Sequence, residues 1–376
     1  MPAVIVGYAR SPFTPARKGA LARTRPDDIA AAVVNRLISD VGVDPSLVED
    51  LIVGCAFPEA EQGYNLARII TFLTDLPETV PGVTINRFCG SSMQSIHDAA
   101  ARINSGQGDA FIAGGVESMS RVPMTGFNPL PNPNLADEAM TSMGITAENL
   151  SKRHDIGRDA QEAFAIESQA RATAARESGA FSDEIVAIET SDGTVSEDGC
   201  IRPGTNSEAL SKLRPAFDSN GTVTAGTSSP LTDGAAFVFV CSEEFAAEHG
   251  LDPMARIKSI GVSGCAPEIM GIGPVSASKK ALERADLSLD DIDLIELNEA
   301  FAAQSLAVIG ELGLDTDKVN IEGGAIALGH PLGASGARIT GKAAQLMHKR
   351  GAENALATLC VGGGMGATGL FESIPE

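Results

Sequence analysis

The chain of 376 residues contains no Trp, two Tyr and five His. That poverty argues against the aromatic platforms on which bases or sugars stack. No apolar run approaches the ~18 residues needed to cross a bilayer; the longest are segments such as 235–241. The six Cys are irregularly spaced, form no paired C-x-x-C zinc pattern and suggest no disulfide framework. Scattered acidic residues show no metal-ligand spacing. Positive charge is scarce: Lys plus Arg total 28 against 49 Asp plus Glu, a net charge of −21. A field of that sign repels phosphodiester backbones and argues against a nucleic-acid partner. The opening MPAVIVGYAR carries no basic leader, and 373–376 carry no lipidation or peroxisomal address. With free thiols suiting a reducing compartment, the expectation is a cytoplasmic protein with no membrane span.

What is present points to a large α/β protein. Apolar residues make up 43% and charged residues 20%, which excludes global disorder. Strand-like apolar runs at 3–9, 50–56, 110–116, 235–242, 293–297 and 354–361 alternate with helical stretches, so a largely parallel sheet is expected. Helices are expected over 27–41, after Cys89, over 158–179 and after Leu332. In the third of these, Phe164, Ser168 and Ala172 share one face.

The two ends of the chain resemble each other. SLVEDLIVGC from Ser46 matches SLDDIDLIELN from Ser288. TINRFCGSS from Thr84 is followed in kind by VNIEGGAIALGHP from Val319, and GDAFIAGGVESM from Gly108 by ENALATLCVGGGM from Glu353. The shared order suggests two copies of one α/β unit. Between them, residues 120–230 are richer in polar turns and read as an inserted loop domain capping a site between the copies. The expected division is 1–119 with 231–250 as the first half, 120–230 as the insert, and 251–376 as the second half.

Four segments could carry chemistry. Cys89 in NRFCGSSMQ follows a strand-like VTI and precedes a helix-like run. Free N–H groups at a helix start lower a thiol from about 8.5 toward 6 or 7. Alone, such a Cys is more often a buried structural thiol. His330 stands among Gly323, Gly324 and Gly329 with Pro331 fitting a first helical turn; it could serve as a base, or be a satisfied core histidine. Cys360 ends a strand and enters VGGGMG, where open α/β sheets place ligands and where backbone N–H groups could form an oxyanion hole; the alternative is a glycine-rich hairpin beside a buried thiol. Asn298 and Glu299 sit at another strand end, or simply cap a helix. GARITGK from Gly336 imitates a phosphate loop, but Ala343 stands where Ser or Thr is needed and the run reads as helix interior.

Taken jointly, NRFCGSSMQ, NEAFAAQ from Asn298, GGAIALGHPLGASGAR from Gly323 and CVGGGMG from Cys360 resemble the thiolase family over essentially the whole chain. The resemblance implies a five-layered α/β fold of two βαβαβαββ halves with an inserted loop domain. It implies Cys89 as nucleophile, His330 as its base and Cys360 as a second acid/base. Asn298 would hold a water that forms one oxyanion hole with His330, and the N–H groups of Cys89 and Gly362 would form the other. Met143 in MGITAEN, Arg202 in IRPG and Ser229 in TAGTSSPLTDGAA resemble positions that meet coenzyme A (CoA). Glu322 departs from the Asn common at its position, and the run after Arg202 aligns loosely. The implied reaction is thiolysis of 3-ketoacyl-CoA, with no metal or redox cofactor and with CoA thioesters as the partners. TAGTSS and GCAPEIMGIGPV look most like the degradative branch of fatty-acid β-oxidation; the alternative is a biosynthetic enzyme condensing two acetyl-CoA. Members work as homodimers, homotetramers or subunits of a larger oxidation complex.

Overall fold

A computed structural model describes residues 2–374; residues 375–376, part of the stretch read above for an address signal, lie outside it. In the first half, β1 (Ala3–Arg10), the short β2 (Thr14–Pro15), α1 (Pro26–Val41), β3 (Asp50–Gly54), α2 (Leu66–Phe72), β4 (Gly82–Ile85), α3 (Ser91–Asn104) and β5 (Ala110–Ser118) follow one another. Then come α4 (Met143–Arg153), α5 (Arg158–Glu177), the hairpin β6 (Ile188–Thr190) and β7 (Gly193–Val195), and α6 (Ser207–Ser211). β8 (Thr232–Ser242) returns to the main sheet, followed by α7 (Glu243–Glu248). The second half runs β9 (Ala255–Gly264), α8 (Gly273–Ala285), β10 (Leu294–Leu297), α9 (Ala302–Leu312), α10 (Ala325–Leu328), α11 (Leu332–Arg350), β11 (Asn354–Val361) and β12 (Met365–Glu372).

The main path of the sheet is β10-β11-β12-β9-β1-β8-β5-β3-β4. Read outward from the β1–β9 junction, each half has its first strand, then its last, then β5 or β11, then β3 or β10. The parallel pair β3–β4 even has a remnant in the other half, the parallel bridge between Ile295 and Val319. The repeat in sequence is thus a repeat in topology.

The expectation of a largely parallel sheet is corrected. Among the described strands of this sheet, only β3–β4, β3–β5 and β10–β11 pair in parallel; β1–β8, β5–β8, β11–β12, β9–β12, β1–β9 and β2–β8 are antiparallel. The last strand of each half reverses direction. In the second half it does so through the glycine hairpin between Val361 and Met365. Such turns need φ > 0, supplied by Gly363 and Gly364, both at +79°.

Burial explains the layering. All eleven residues of β8 are buried. Phe237, Phe239 and Cys241 face α1, while Ala236, Val238 and Val240 face α3 and α11. A strand buried on both sides reads as an unbroken apolar run, which is why this segment stood out. Helices α3 and α11 form the middle layer, touching strands of both halves. α1 with α2, and α8 with α9, cover the outer faces. Helix α11 tolerates this because Gly336 approaches the Met93 backbone and Gly341 approaches the Tyr8 ring, both too closely for a Cβ. Its GARITGK run is helix interior, with Lys342 bonded to Glu322 at 2.9 Å and paired with buried Glu184.

Candidate active site

Cys89 lies in a 3₁₀ turn (Phe88–Gly90) that leads directly into α3. The turn is tight: Phe88 adopts φ +44°. That left-handed conformation is costly for a bulky residue and is held here by its surroundings. Asn86 Oδ1 accepts from Phe88 N at 2.7 Å, and Ser91 Oγ accepts from Arg87 N at 2.9 Å. A Cβ on Gly90 would meet Val361 Cγ2 at 2.9 Å, so glycine allows β11 to close on the turn.

The thiol is buried, and burial pushes it up to about 11. The N–H groups of Gly362 and of Cys89 itself favour the thiolate and pull the other way, while the charge of Glu117 adds to the rise. The expected drop toward 6 or 7 is therefore corrected. Loss of water outweighs the helix start, and the resting group is a thiol.

Cys360 sits beside it: the two sulfurs feel each other, and burial raises Cys360 well above an ordinary thiol. Around Cys360 pack Met143 at the start of α4, Met270, Ala300 and Phe301. A Cβ on Gly362 would come 3.7 Å from the Met143 sulfur and 3.7 Å from the Phe88 ring.

His330 approaches from the second half. Pro331 is the residue before α11 rather than part of its first turn. His330 Nδ1 lies 2.5 Å from Ser335 Oγ, whose hydroxyl donates to Pro331 O at 3.0 Å. With its proton so used, Ser335 accepts from His330 Nδ1–H, leaving the lone pair on Nε2. Burial, with the Arg338 charge second, lowers the imidazole to about 3, so it rests neutral. Asn298 Nδ2 lies 3.4 Å from His330 Nε2, and the buried Asn298 Oδ1 has no protein partner among the described residues. An orphaned acceptor of this kind suits a bound water. Asn298 is held by its own N–H, which donates to Thr358 O at 3.0 Å, two residues before Cys360.

The structure therefore gathers Cys89, Cys360, Gly362 and Met143, and sets Asn298 against His330. Among the described residues no direct hydrogen bond joins the Cys89 thiol to the His330 imidazole. Ser229 lies at the rim, its N–H and hydroxyl both donating to Ala300 O, at 3.0 and 3.1 Å. Arg202 is not drawn in: its side chain is exposed, and the bonds it makes are through its backbone, the N–H donating to Gln169 Oε1 at 2.7 Å and the carbonyl accepting from Thr205 Oγ1 at 2.8 Å. A cavity of about 780 Å³ lined by Arg17, Lys18, Arg23 and Asp192 lies elsewhere and includes none of these residues. Sequence reasoning missed Ser335 and Glu117. Their signals were present: a hydroxyl five residues past His330 on the same helix entry, and an acid closing an otherwise apolar strand.

Comparisons with known proteins agree along the whole chain. The thiolase N-terminal domain family model matches residues 3–244 and the C-terminal domain model matches 251–373. A 3-ketoacyl-CoA thiolase of Bacillus subtilis is 48% identical over 98% of this chain and 99% of that protein. One of Escherichia coli is 48% identical over 99% of each. Among solved structures, human mitochondrial 3-ketoacyl-CoA thiolase superposes with a TM-score of 0.93 at 39% identity, covering 100% of this chain and 99% of that one. The acetyl-CoA acetyltransferase of Bacillus anthracis gives 0.91 at 40%, covering 99% of each.

Proposed function

This chain belongs to the thiolase family, and from that premise we propose that it cleaves 3-ketoacyl-CoA with CoA, through an acyl-Cys89 intermediate, at the carbon–carbon cleaving step of fatty-acid β-oxidation. The observation that carries the residue assignment is the closure of β11 on the Cys89 turn: Gly90 lies against Val361, next to Cys360, and Gly362 lies against Phe88, next to Cys89.

Both resting groups are neutral, the thiol high and the imidazole low, so a preformed ion pair is disfavoured. The proton moves to His330 Nε2 as sulfur bonds to the keto carbon. Hydrogen bonds that are long without substrate commonly tighten in the complex, and here the Cys89–His330 contact must form in that way. The Nε2–H so created, with a water on Asn298, steadies the alkoxide. The bond between the second and third carbons then breaks, its electron pair passing to the leaving acetyl-CoA as an enolate. The Cys360 thiol protonates that carbon. An incoming CoA thiol gives its proton to the Cys360 thiolate and attacks the acyl-Cys89 thioester, while the N–H groups of Cys89 and Gly362 steady the second oxyanion. The released Cys89 sulfur recovers its proton from His330. Every step is an acyl or proton transfer, so the chemistry asks for no metal or redox cofactor.

Met143 and Ser229 flank the acyl-carrying end of CoA in this reading, and Arg202 meets its phosphates from the insert 120–230, between halves formed by 1–119 with 231–250 and by 251–376. The reading extends to a cytoplasmic homodimer or homotetramer, or a subunit of an oxidation complex. Degradation is favoured over acetyl-CoA condensation because the relatives at 48% identity over nearly the whole chain carry the 3-ketoacyl name.

The test is direct. The protein with a long 3-ketoacyl-CoA and CoA should yield acetyl-CoA and the shortened acyl-CoA with ping-pong kinetics. Without CoA, peptide mass spectrometry should find the acyl group on Cys89. Folded protein that leaves the ketoacyl thioester intact rules the reading out.

A further inference from the structure

Glu117 is buried one residue before the end of β5, and no cation pairs with it among the described residues. It is surrounded by donors instead. Ala56 N donates to Oε2 at 2.8 Å and Gly333 N to the same oxygen at 2.9 Å. Gln62 Nε2 donates to Oε1 at 2.8 Å and Phe57 N at 3.3 Å, with the Cys55 thiol at 3.7 Å. Burial raises the Glu117 pKa while these donors oppose the rise; every neighbour offers a hydrogen and none asks for one, which fits an acceptor-only carboxylate.

These donors come from two separate parts of the site. Gly333 lies in the first turn of α11, three residues after His330, where N–H groups have no partner within the helix. A Cβ there would lie 2.9 Å from Glu117 Oε2, so glycine lets the helix reach the carboxylate. Ala56 and Phe57 follow β3 and lead to the nucleophile. Asn86 Nδ2 donates to Ala56 O at 3.0 Å, and Asn86 Oδ1 accepts from Phe88 N at 2.7 Å, next to Cys89. The Phe57 and Phe88 rings are 6.0 Å apart. Gln62 locks the arrangement by accepting from Ser118 N at 2.6 Å and donating to Phe57 O at 2.8 Å.

The position also has a counterpart. Gly54 at the end of β3 pairs with Gly115, two residues before Glu117. Leu297 at the end of β10 pairs with Thr358, two residues before Cys360. The two halves thus offer equivalent strand positions to the site. One carries Cys360 and the other this carboxylate.

We propose that Glu117 is a positioning residue of the acyl-transfer site, its carboxylate fastening the helix that begins after His330 to the loop after β3, on which the Cys89 turn is anchored through Asn86. Two consequences separate this from ordinary core packing. The distance between imidazole and thiol is set by one carboxylate bonded to the backbone N–H groups of Ala56, Phe57 and Gly333. And the same negative charge is felt by the thiol, so it adds to the rise that burial imposes on the pH at which Cys89 ionises. The first consequence rests on the thiolysis proposed above; the second stands without it.

The experiment compares wild type with Glu117→Gln and Glu117→Asp. Thiolysis is measured as kcat and KM. Iodoacetamide labelling of Cys89 is followed against pH by peptide mass spectrometry, and folding by circular dichroism. Glu117→Gln keeps the volume and loses the charge. It should lower kcat by about 10–100-fold with KM within about threefold, since misplaced catalytic groups cost about that much, and should move the labelling midpoint down by about half a unit or more, because a like charge has been removed. Glu117→Asp keeps the charge and shortens the reach. Its labelling midpoint should stay near wild type while kcat still falls about tenfold or more. A folded Gln variant with wild-type kcat and midpoint overturns the proposal. Should the Gln variant fail to fold, an Asp variant with wild-type kcat overturns it equally. If wild type shows no thiolysis, the proposed reaction fails, while the shift in Cys89 labelling still reports on the brace.

Discussion

His97 offers a measurement free of assumptions about catalysis. It lies on α3, buried, with neither ring nitrogen hydrogen-bonded. Burial, with the nearby Arg87 charge second, lowers its pKa from 6.5 to about 3. The folded value lies below the unfolded one, so the neutral ring's contribution is intact above 6.5 and is lost as pH falls toward 3. At pH 5 the unfolded imidazole is almost fully protonated and the folded one is not. Proton linkage then destabilises the fold by about 2 kcal/mol relative to pH 7.5. That figure depends hardly at all on the folded value so long as it stays below about 4. In His97→Leu the loss disappears, and no partner is orphaned because none was bonded. With an unfolding entropy of about 2.1 cal/mol/K per residue, a unit of this size gains roughly 2–3 °C over wild type on going from pH 7.5 to 5. Only the difference is diagnostic. Glu296, buried and raised to about 7, gains stability as pH falls and offsets the histidines in the wild-type curve. Circular dichroism melts at the two pH values decide the matter, since the chain has no Trp to report by fluorescence. Parallel pH dependences for wild type and variant would refute the claim that His97 is neutral and dry.

Ser335→Ala removes the acceptor that fixes the His330 tautomer; kcat should fall about 10–100-fold while Ser335→Thr, which keeps a hydroxyl, recovers part of it, measured by steady-state thiolysis. Cys360→Ser should still acylate Cys89 in a single turnover, seen by mass spectrometry, yet fail to turn over, because a hydroxyl is a far weaker acid/base near neutrality. Asp198→Ala strips the buried Arg10 guanidinium of two bonds of 2.7 Å, leaving only Glu184 at 2.7 Å as its acidic partner. Breaking a buried pair costs about 3–5 kcal/mol, which a unit of this size shows as a fall in Tm of about 4–6 °C.

The sequence displayed more of the fold than its propensities alone would suggest, because duplication wrote the plan twice. The buried runs at 110–116 and 235–242, the turn at Cys89 and the glycines after Cys360 each occupy the place their pattern indicated. Strands β9 and β12 were not singled out. ARIKSIGVSG mixes exposed Lys258 with half-buried positions, and MGATGLFE is spaced by glycines, so neither shows an apolar run. Strand direction was also hidden. The Val361–Met365 link is as short as a hairpin must be, and the structure has the hairpin, but in sequence the same glycines equally describe a ligand loop. Glu117 was visible only as part of a repeat, because a lone acid in a strand acquires meaning from donors that arrive from residues 56, 62 and 333.

The acidity of Cys89 shows most clearly where reading by residue stops. A helix start acts locally and can be located in sequence; its pull on a neighbouring charge is about 0.3–1 kcal/mol, rising to about 2 in partly buried geometries. Burial is a property of the assembled layers, and a two-unit rise of a thiol corresponds to about 2.7 kcal/mol. Here the second effect prevails, although Gly362 and Cys89 both aim N–H groups at the sulfur. The same donors are better matched to an oxyanion than to a resting thiolate, because charge on an acyl oxygen exists only while substrate is bound. A site that held the thiolate at rest would spend those N–H groups in the ground state and gain nothing at the barrier. In the proposed reaction, a thiol that rests neutral leaves the strongest pull of those N–H groups for the moment at which negative charge moves from sulfur to oxygen.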